Sequence, residues 1–455
     1  MGRVFDTEVI VVGAGYAGLT TALHLVDGGR DVVVLEARDR VGGRVWTHHE
    51  AGVPLDLGGM WVGANHEHFR GLLARFGLTT FPTPSHGHAA WWDAPCDTLR
   101  RARPFPMPVS VVPAVVVGLA RVGWLVRRAE SDRGLTSAQT QRLDQMTVAA
   151  WLRRWVPSRR AREALEAAIV GQASTELAQI SMLSVVSSAA EAGGLLAQLG
   201  TEGGAQQDLV VDGADAPARA ISALLGSRLR LATPVLEIHH QSDAVRVVTA
   251  DSSITARHVV VTLPPAHVTR LHWAPALPVW RASLLARMPM GSVTKVLAVY
   301  DRPFWRDSGW SGEVTDAVGS VSSAFDVSPP GGPGVLASLT CGHRSVALAQ
   351  LSPEARQQRV IDAFARWFGS EARHPRSVVD VSWENEVCSG GGYSALPIPG
   401  ASAMVKRIAE PTGRVHFAGT ETATRFAGYI DGAISSGARA ATEVLARLVA
   451  DEAGD

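Results

Sequence analysis

Three glycines near the start of the chain have the spacing of a turn that binds a dinucleotide. Gly13, Gly15 and Gly18 directly follow a β-branched run, Val9–Val12. The first glycine allows a tight turn, the second lets the backbone approach a pyrophosphate, and the third lets the next helix pack close to the strand. Glu36 lies 18 residues after Gly18, at the end of a second strand, where an acid accepts hydrogen bonds from a ribose. This order favours dinucleotide binding over an ordinary tight turn in an unrelated α/β domain.

A second glycine pair, Gly42 and Gly43, lies just beyond this acid and is flanked by Arg38 and Arg44. The pair offers further backbone N–H groups, and the arginines offer bidentate cations to a pyrophosphate. The first three glycines do not distinguish NAD from FAD. The arginine-flanked extension resembles the FAD-binding flavoprotein oxidases rather than the NAD dehydrogenases.

The elements that must position these residues follow from apolar periodicity. A helix over Ala17–Asp27 separates the first two strands, and small residues over Asp431–Val449 predict a helix that docks near the first glycine turn. Apolar residues at spacings of three and four predict a helical insertion over Ser137–Trp155, Ser158–Ala173 and Met182–Leu199. Alternation and turn residues predict strands over Leu229–Glu237, Ala244–Ala250, Ala256–Leu263 and Lys295–Tyr300, and a helix over Pro353–Phe368.

The length of 455 residues predicts two domains of the α/β class. We expect a nucleotide domain in three pieces, 1–80, 209–290 and 400–455, and a substrate domain in two, 81–208 and 291–399. Equal numbers of basic and acidic residues, 43 each, argue against nucleic acid or an anionic membrane as a partner. The three cysteines are too few and too scattered for a disulfide framework, so a cytoplasmic location is expected.

One apolar segment, Pro108–Val126, has the length of a bilayer span. It contains Pro113 and, in its middle, Arg121, which favour a buried or cavity-lining helix over a membrane anchor. The sequence does not fix the oligomeric state, and a homodimer stays open.

Several distant segments, taken together and in order, resemble the flavin-containing monoamine oxidase family over nearly the whole chain. They are residues 36–44, 56–59, 291–296, 389–393 and 419–429. The resemblance implies a GR2-type FAD-binding, Rossmann-like domain interleaved with an α+β substrate domain, which has an antiparallel sheet and a helical insertion.

The resemblance also implies a set of FAD-binding residues. Glu36 matches the family's ribose-binding acid, and Val235 matches a residue whose backbone contacts the adenine. Glu421 lies in the turn that reaches the ribityl and phosphate groups. The main-chain N–H of Ile430 matches a contact to the flavin ring, and Trp383 matches an aromatic residue near the flavin. The full implied set is Gly13, Gly15, Ala17, Gly18, Glu36, Ala37, Arg38, Gly43, Arg44, Gly58, Gly59, Met60, Val235, Trp383, Tyr393, Gly419, Glu421, Tyr429 and Ile430.

Three residues match the family's catalytic positions. Lys295 matches a lysine that holds a water near flavin N5, and a lysine inside the apolar run Val293–Val299 is costly unless it has a partner or a cavity. The alternative is a surface lysine on a strand. Tyr393 and Tyr429 match the aromatic pair that brackets the substrate amine, and they are two of only four tyrosines. The alternative is ordinary aromatic packing.

The sequence departs from the family pattern at three places. The cysteine that binds FAD covalently in vertebrate members is replaced by Gly392, and Cys388 lies four residues earlier, so dissociable, non-covalent FAD is expected. The C-terminal membrane helix of those members has no counterpart, so an outer-membrane location does not carry over. The segment 89–96, with Trp91 and Trp92, matches no family pattern and either shapes the cavity or simply packs.

The resemblance implies oxidation of an amine to an imine, which hydrolyses to an aldehyde or ketone, with O₂ reduced to H₂O₂. An FAD-dependent desaturase or dehydrogenase of a biosynthetic intermediate is the alternative, and a flavoprotein that only binds is a third. The sequence leaves the amine unnamed. The pairs His66/His68 and His86/His88 are not expected to bind a metal, because neither has a third ligand at metal spacing.

Overall fold

The computed structural model describes residues 5–50, 52–93, 96–102, 111–131, 134–194, 197–198 and 200–454. The strands are β1 Thr7–Val12, β2 Val32–Leu35, β3 Thr47–Glu50, β4 Val53–Asp56, β5 Trp61–Val62, β6 Thr80–Pro82, β7 His88–Asp93, β8 Thr98–Ala102, β9 Asp208–Val210, β10 Leu229–Arg230, β11 Val235–His240, β12 Val245–Thr249, β13 Ser253–Val261, β14 His272–Ala274, β15 Val293–Tyr300, β16 Trp310–Thr315, β17 Ser323–Asp326, β18 Gly334–Cys341, β19 Ser377–Ser382 and β20 Val415–Phe417. The helices are α1 Tyr16–Asp27, α2 Glu67–Arg75, α3 Val112–Glu130, α4 Ser137–Gln145, α5 Val148–Trp155, α6 Arg159–Ala173, α7 Met182–Glu191, α8 Ala216–Leu225, α9 Pro265–Val268, α10 Val279–Ala286, α11 His343–Ala349, α12 Pro353–Phe368 and α13 Ile430–Gly454.

The first sheet has a parallel centre formed by β10, β2, β1 and β13. Its strand β1 is almost wholly buried, as expected for a β-branched strand covered on both faces. The second half of β13 pairs in parallel with β20, whereas its first half pairs with the antiparallel strand β12 of the predicted meander. The carboxyl ends of β1 and β2 therefore lie side by side at one edge, where the glycine turn and Glu36 follow.

Helices α1 and α13 pack against each other on one face of this sheet. A Cβ at Gly437 of α13 would lie 2.3 Å from the carbonyl oxygen of Ala17, so the two backbones touch. The run of small residues in the last helix allows this close approach, and it places α13 beside the first glycine turn as the sequence predicts.

The second sheet has the order β19–β15–β18–β17–β16–β7–β8 and is antiparallel except for the β16–β7 pair. Helices α3 to α7 cover one face, where they pack against Leu297 and Ala337 of the central strands. Helix α12 covers the opposite face, against Val296 and Leu336. Lys295 lies on the face that looks toward the helical insertion.

Most predicted elements differ from the structure by a few residues at their ends, and three of them differ in a way that changes the element. The predicted helix Ser137–Trp155 is two helices, because the Thr147 hydroxyl accepts the N–H of Ala150 and starts a second helix there. The predicted helix that reaches Leu199 ends at Glu191, shortly before two glycines with positive φ. The predicted strand Leu229–Glu237 is split into β10 and β11.

The strands of the first sheet come from the beginning, middle and end of the chain, and those of the second sheet from the two stretches between. The division at residues 80, 208, 290 and 399 stays a prediction. Of the predicted apolar segment, residues 108–110 lie outside the described residues, and residues 112–126 fall within α3. No helix over the described ranges combines the length and hydropathy that a membrane span needs.

Candidate active site

One cavity of about 830 Å³ runs from the glycine turn of the first sheet to the helical face of the second. Most of the residues predicted to bind the cofactor or to act in catalysis line it. They are Gly13, Gly15, Ala17, Glu36, Ala37, Arg38, Gly43, Arg44, Gly58, Gly59, Met60, Val235, Lys295, Trp383, Tyr393, Gly419, Tyr429 and Ile430. Gly18 and Glu421 are not part of the cavity wall.

The glycine turn is shaped for a close backbone approach. A Cβ at Gly18 would lie 1.9 Å from the carbonyl oxygen of Gly13, so only glycine lets α1 pack against the turn. A Cβ at Gly43 would lie 3.1 Å from the Cα of Gly15, so the second glycine pair lies directly against the first glycine turn. No side chain caps the start of α1, which leaves its first N–H groups available to an anion.

Glu36 is buried at the carboxyl end of the second strand. Its Oε2 accepts the N–H of Ala14 at 2.6 Å and its Oε1 accepts the N–H of Arg38 at 3.0 Å. Each carboxylate oxygen has a further lone pair, so Glu36 keeps the capacity to accept hydroxyl groups of a ribose.

Arg38 holds an unused donor at the same end of the cavity. Its Nη2 donates to Glu386 and, at 2.8 Å, to the Ser389 hydroxyl. Its Nε is buried and has no hydrogen-bond partner among the described residues. An unpaired buried donor beside a glycine cradle and a ribose acid fits the phosphate and sugar oxygens of FAD.

Arg44 connects the glycine turn to the C-terminal turn and to Tyr393. Its Nη1 and Nη2 lie 2.6 and 3.0 Å from the two carboxylate oxygens of Glu421, and Nη1 also donates to the Tyr393 carbonyl at 2.8 Å. Burial alone would raise the pKa of Glu421, but the charge and hydrogen bonds of Arg44 and the N–H of Ala395 hold it below its ordinary value. The structure therefore brings Glu421 to Arg44 rather than to the cavity surface.

Lys295 is only 2% exposed and extends from β15 into the cavity wall. Its Nζ donates to the Gly58 carbonyl at 3.0 Å and to the Met60 sulfur at 2.9 Å. Burial lowers the pKa of Lys295, and the negative charge of Asp56 partly offsets this. The buried lysine thus has both the partners and the cavity that its position requires.

Tyr393 and Tyr429 line the same cavity as Lys295. The Tyr393 hydroxyl lies 3.4 Å from the Cys341 sulfur. The Tyr429 ring packs edge-on against His66 and Phe426, with centroid separations of 5.3 and 6.0 Å. Burial raises the pKa of Tyr429 to about 12 and that of Tyr393 well above its ordinary value, so both phenols stay neutral.

The sequence misses residues that support the tyrosines. Ser174 caps the C-terminal end of α6 and does not line the cavity. Its hydroxyl holds the backbone at Gly392 and Tyr393. Cys341 contacts the Tyr393 hydroxyl, and Glu313 lines the cavity on β16. Only alternation along β16 and β18 could have pointed to Glu313 and Cys341.

Trp91 and Trp92, whose role the sequence leaves open, have different surroundings. Trp91 lines the cavity, whereas Trp92 is buried on the opposite face of the sheet. Gln206 lines the cavity and Gln207 does not. The Arg425 guanidinium lies over the ring of Phe426, 5.3 Å from its centroid. The described part of the chain holds no group of three His, Cys, Asp or Glu side chains placed to bind a metal.

Comparison with known proteins identifies the family of this chain. The model of the family described as flavin containing amine oxidoreductase matches residues 16–445. AofH of Mycobacterium tuberculosis H37Rv, whose name assigns it to the flavin-containing monoamine oxidases, is 35% identical over 453 residues, which are 98% of each chain. Amine oxidase [flavin-containing] B of Sus scrofa is 32% identical over 96% of this chain and 86% of its own.

A solved structure shares the whole architecture. Cyclohexylamine oxidase from Brevibacterium oxydans IH-35A superposes with a TM-score of 0.91 at 30% identity, over 97% of this chain and 99% of its own. These likenesses confirm the predicted fold class, the family resemblance, FAD as the cofactor that the family implies, and the assignment as an oxidoreductase. Because the family model spans more than half of the chain, this protein belongs to the flavin-containing amine oxidoreductases.

Proposed function

We propose that the protein oxidises an amine to an imine, which water then converts to an aldehyde or ketone, with O₂ reduced to H₂O₂. The observation that carries this proposal is that Lys295, Tyr393 and Tyr429 line the same cavity as the glycine turn and Glu36. A nucleotide cradle and an aromatic pair thus share one space. The desaturase alternative has no use for such a pair.

The bound FAD would supply the redox chemistry, accepting a hydride equivalent from the carbon next to nitrogen and passing electrons to O₂. The side chains of the protein bind and orient the amine. Two neutral phenol rings offer electron-rich faces to a neutral amine, and they restrict branching beside the nitrogen. No acid–base side chain is needed when the amine binds without its extra proton.

Lys295 is suited to support the reaction with O₂. Its ammonium is buried in the cavity wall and is held by the Gly58 carbonyl and the Met60 sulfur. A fixed positive charge in a low-dielectric site stabilises negative charge that develops on oxygen. The Lys295 side chain is therefore assigned to electrostatic support rather than to binding of the amine.

The local packing at Gly392 supports non-covalent FAD. A Cβ at this position would lie 2.9 Å from Val293 Cγ1. The valine is β-branched and stiff, so the site has no room for a cysteine side chain without a shift of β15 or of the Gly392 backbone. The cytoplasmic location stays a prediction, and a homodimer stays open.

The test is anaerobic mixing of the purified yellow protein with a panel of amines while the absorbance of oxidised flavin is recorded. Bleaching by amines, followed by recovery of absorbance and formation of H₂O₂ on admission of air, is the expected result. A yellow protein that no amine bleaches would overturn the proposal and favour the desaturase alternative. A colourless protein that takes up no added FAD would remove its basis.

A further inference from the structure

The cavity contains one acidic side chain that the proposed reaction does not use. Glu313 lies on β16 and lines the cavity. Within the described ranges, no donor or cation lies within hydrogen-bond or ion-pair distance of its carboxylate; only the Glu313 N–H has a partner, the Ser311 hydroxyl. Burial raises the pKa of Glu313 and is the only resolved cause. The Glu313 side chain is half-buried in the cavity wall, and a carboxylate withdrawn from water without a partner is costly, so it favours a cation that the described residues do not supply.

The register of the second sheet shows how far Glu313 lies from the proposed reaction centre. Lys295 is paired with Leu339 and Leu339 with Ser323. Ser323 is paired in turn with Thr315. Directly paired residues share a face, and all four line the cavity. The path from Lys295 to Thr315 crosses three strand spacings, about 14 Å along the sheet.

Glu313 precedes Thr315 by two residues on the same strand, so it faces the same side of the sheet. The wall around it is neutral: Trp91 and Ala89 come from β7, and Phe325 comes from β17. The other charged side chains of the described cavity wall are Glu36, Arg38, Arg44, Arg270 and Lys295. Arg270 comes two residues after the end of α9 and lies beside His267. It therefore belongs to the part of the wall that surrounds the first sheet.

Among the residues that the structure describes, the end of the cavity bounded by β7, β16 and β17 is therefore lined by neutral side chains, with Glu313 as its one carboxylate. An amine substrate whose nitrogen lies between the tyrosines would extend its far end along this face of the sheet. An alkyl chain suits the apolar wall, and a terminal ammonium suits Glu313. A distal carboxylate would be repelled.

We propose that Glu313 binds a second, distal ammonium group, so that the preferred substrate is a long-chain diamine or polyamine. The proposal rests on the amine oxidation proposed above. The ion pair would form in a water-poor cavity, where a charge-assisted hydrogen bond is stronger than at the surface. The separation along the sheet selects chains long enough to bridge the two sites.

The test compares straight-chain monoamines with α,ω-diamines of the same length, using kcat/KM and anaerobic bleaching of the flavin. The wild-type protein should prefer the diamine once the chain is long enough, and Glu313→Gln should lower the diamine-to-monoamine ratio roughly tenfold or more. Glu354→Gln, the same carboxylate-to-amide change on the exposed first turn of α12, should retain the wild-type ratio. Glu313→Asp should retain a diamine preference, shifted toward longer chains.

The two proposals fail in different ways. Bleaching by monoamines with no diamine preference in the wild-type protein at any chain length would overturn the role of Glu313 and leave amine oxidation standing. An unchanged ratio in Glu313→Gln would do the same. Absence of bleaching by every monoamine and diamine would overturn amine oxidation itself. If Glu313→Gln does not fold, the chain-length series with the wild-type and Glu313→Asp proteins decides the matter.

Discussion

The hydroxyl of Ser174 accepts the backbone N–H of Tyr393 at 2.7 Å, across 219 residues of sequence. The same hydroxyl donates to the Gly392 carbonyl at 2.6 Å. The Ser174 carbonyl accepts the N–H of Ser292, just before β15. The end of α6 is thereby joined to the segment that carries the first tyrosine, and Ser174 positions Tyr393 without lining the cavity.

Ser174→Ala should lower kcat/KM for amines roughly tenfold, because the N–H of Tyr393 loses its partner and the ring loses its fixed place. Leaving a buried backbone group unpaired costs about 1–3 kcal/mol. The measurement is steady-state kinetics with the flavin content determined for each preparation. Ser181→Ala is the matched control, since this serine caps α7 and bonds to Ser402 instead. A positioning role is contradicted if both variants lose stability alike and neither loses kcat/KM.

Tyr429→Phe should keep most of the activity, whereas Tyr429→Leu should lower it several-fold. The Tyr429 hydroxyl has no hydrogen-bond partner among the described residues, and its ring packs edge-on against His66 and Phe426. An aromatic contact contributes about 0.5–1.5 kcal/mol, which corresponds to a loss of roughly two- to tenfold in kcat/KM. Equal losses in the two variants would show that the hydroxyl, rather than the ring, is what matters.

Lys295→Met should slow oxidation of the reduced flavin by O₂ roughly a hundredfold, while anaerobic reduction by the amine persists. Burial lowers the pKa of Lys295 to about 8, with Asp56 opposing the shift. The wild-type protein should therefore lose reoxidation rate as the pH rises through that value and Nζ loses its proton. Stopped-flow mixing of reduced enzyme with O₂ across this pH range gives both profiles. The charge of Lys295 has no role in reoxidation if the wild-type protein and Lys295→Met show the same dependence of the reoxidation rate on pH.

Glu421→Ala should destabilise the fold and weaken FAD binding, because it leaves Arg44 without its bidentate partner. Removing one member of a largely buried ion pair costs about 3–5 kcal/mol. Glu421→Gln keeps an oxygen for the N–H of Ala395 and should cost less. Urea unfolding with and without added FAD measures both effects, and a Glu421→Gln protein as stable as the wild-type protein would argue against the ion pair.

The Arg44–Glu421 pair also predicts a pH dependence of stability. The folded-state pKa of Glu421 lies below its ordinary value of 4.5. The pair therefore stabilises the fold fully above that pH, and the contribution is lost as the pH falls through the folded-state pKa. Urea titrations between neutral and acidic pH should show a smaller acid sensitivity in Glu421→Gln than in the wild-type protein. Identical sensitivity would contradict this assignment.

Acid precipitation should release the flavin into the supernatant and leave a colourless pellet. Gly392 has no thiol, and a Cβ there would crowd Val293 Cγ1 at 2.9 Å. A yellow pellet would contradict the prediction and point to Cys388, which also lines the cavity. Repeating the precipitation with Cys388→Ser would then identify the attachment.

The elements that the sequence predicts best are those specified by local signals. Helix α12 matches its predicted bounds, because the Ser352 hydroxyl caps its start and Gly369 ends it with φ +96°. The helix after the glycine turn begins one residue earlier than predicted and ends at the predicted Asp27. The glycine spacing and Glu36 are local in the same sense, so the nucleotide cradle could be placed from the first part of the chain.

What the sequence does not reveal depends on long-range register. The parallel pairing of β16 with β7 joins strands more than 200 residues apart, and no local sequence pattern indicates this pairing. In the sequence, Glu313 is one more polar residue on an alternating strand. Only the folded sheet shows that its side chain faces the cavity. The sequence predicts that Glu421 contacts the cofactor, whereas the fold places its carboxylate against Arg44.

The sheet that cradles the nucleotide is closed by strand β20 and the helix that follows it, which pack on β13 and α1. On the ribosome, β1 and its glycine turn are made first, and the partners that complete their surroundings are made last. The cradle cannot close until residues beyond Phe417 have left the exit tunnel. The surroundings of the glycine turn are thus completed late in synthesis, by the strand and helix that follow residue 414.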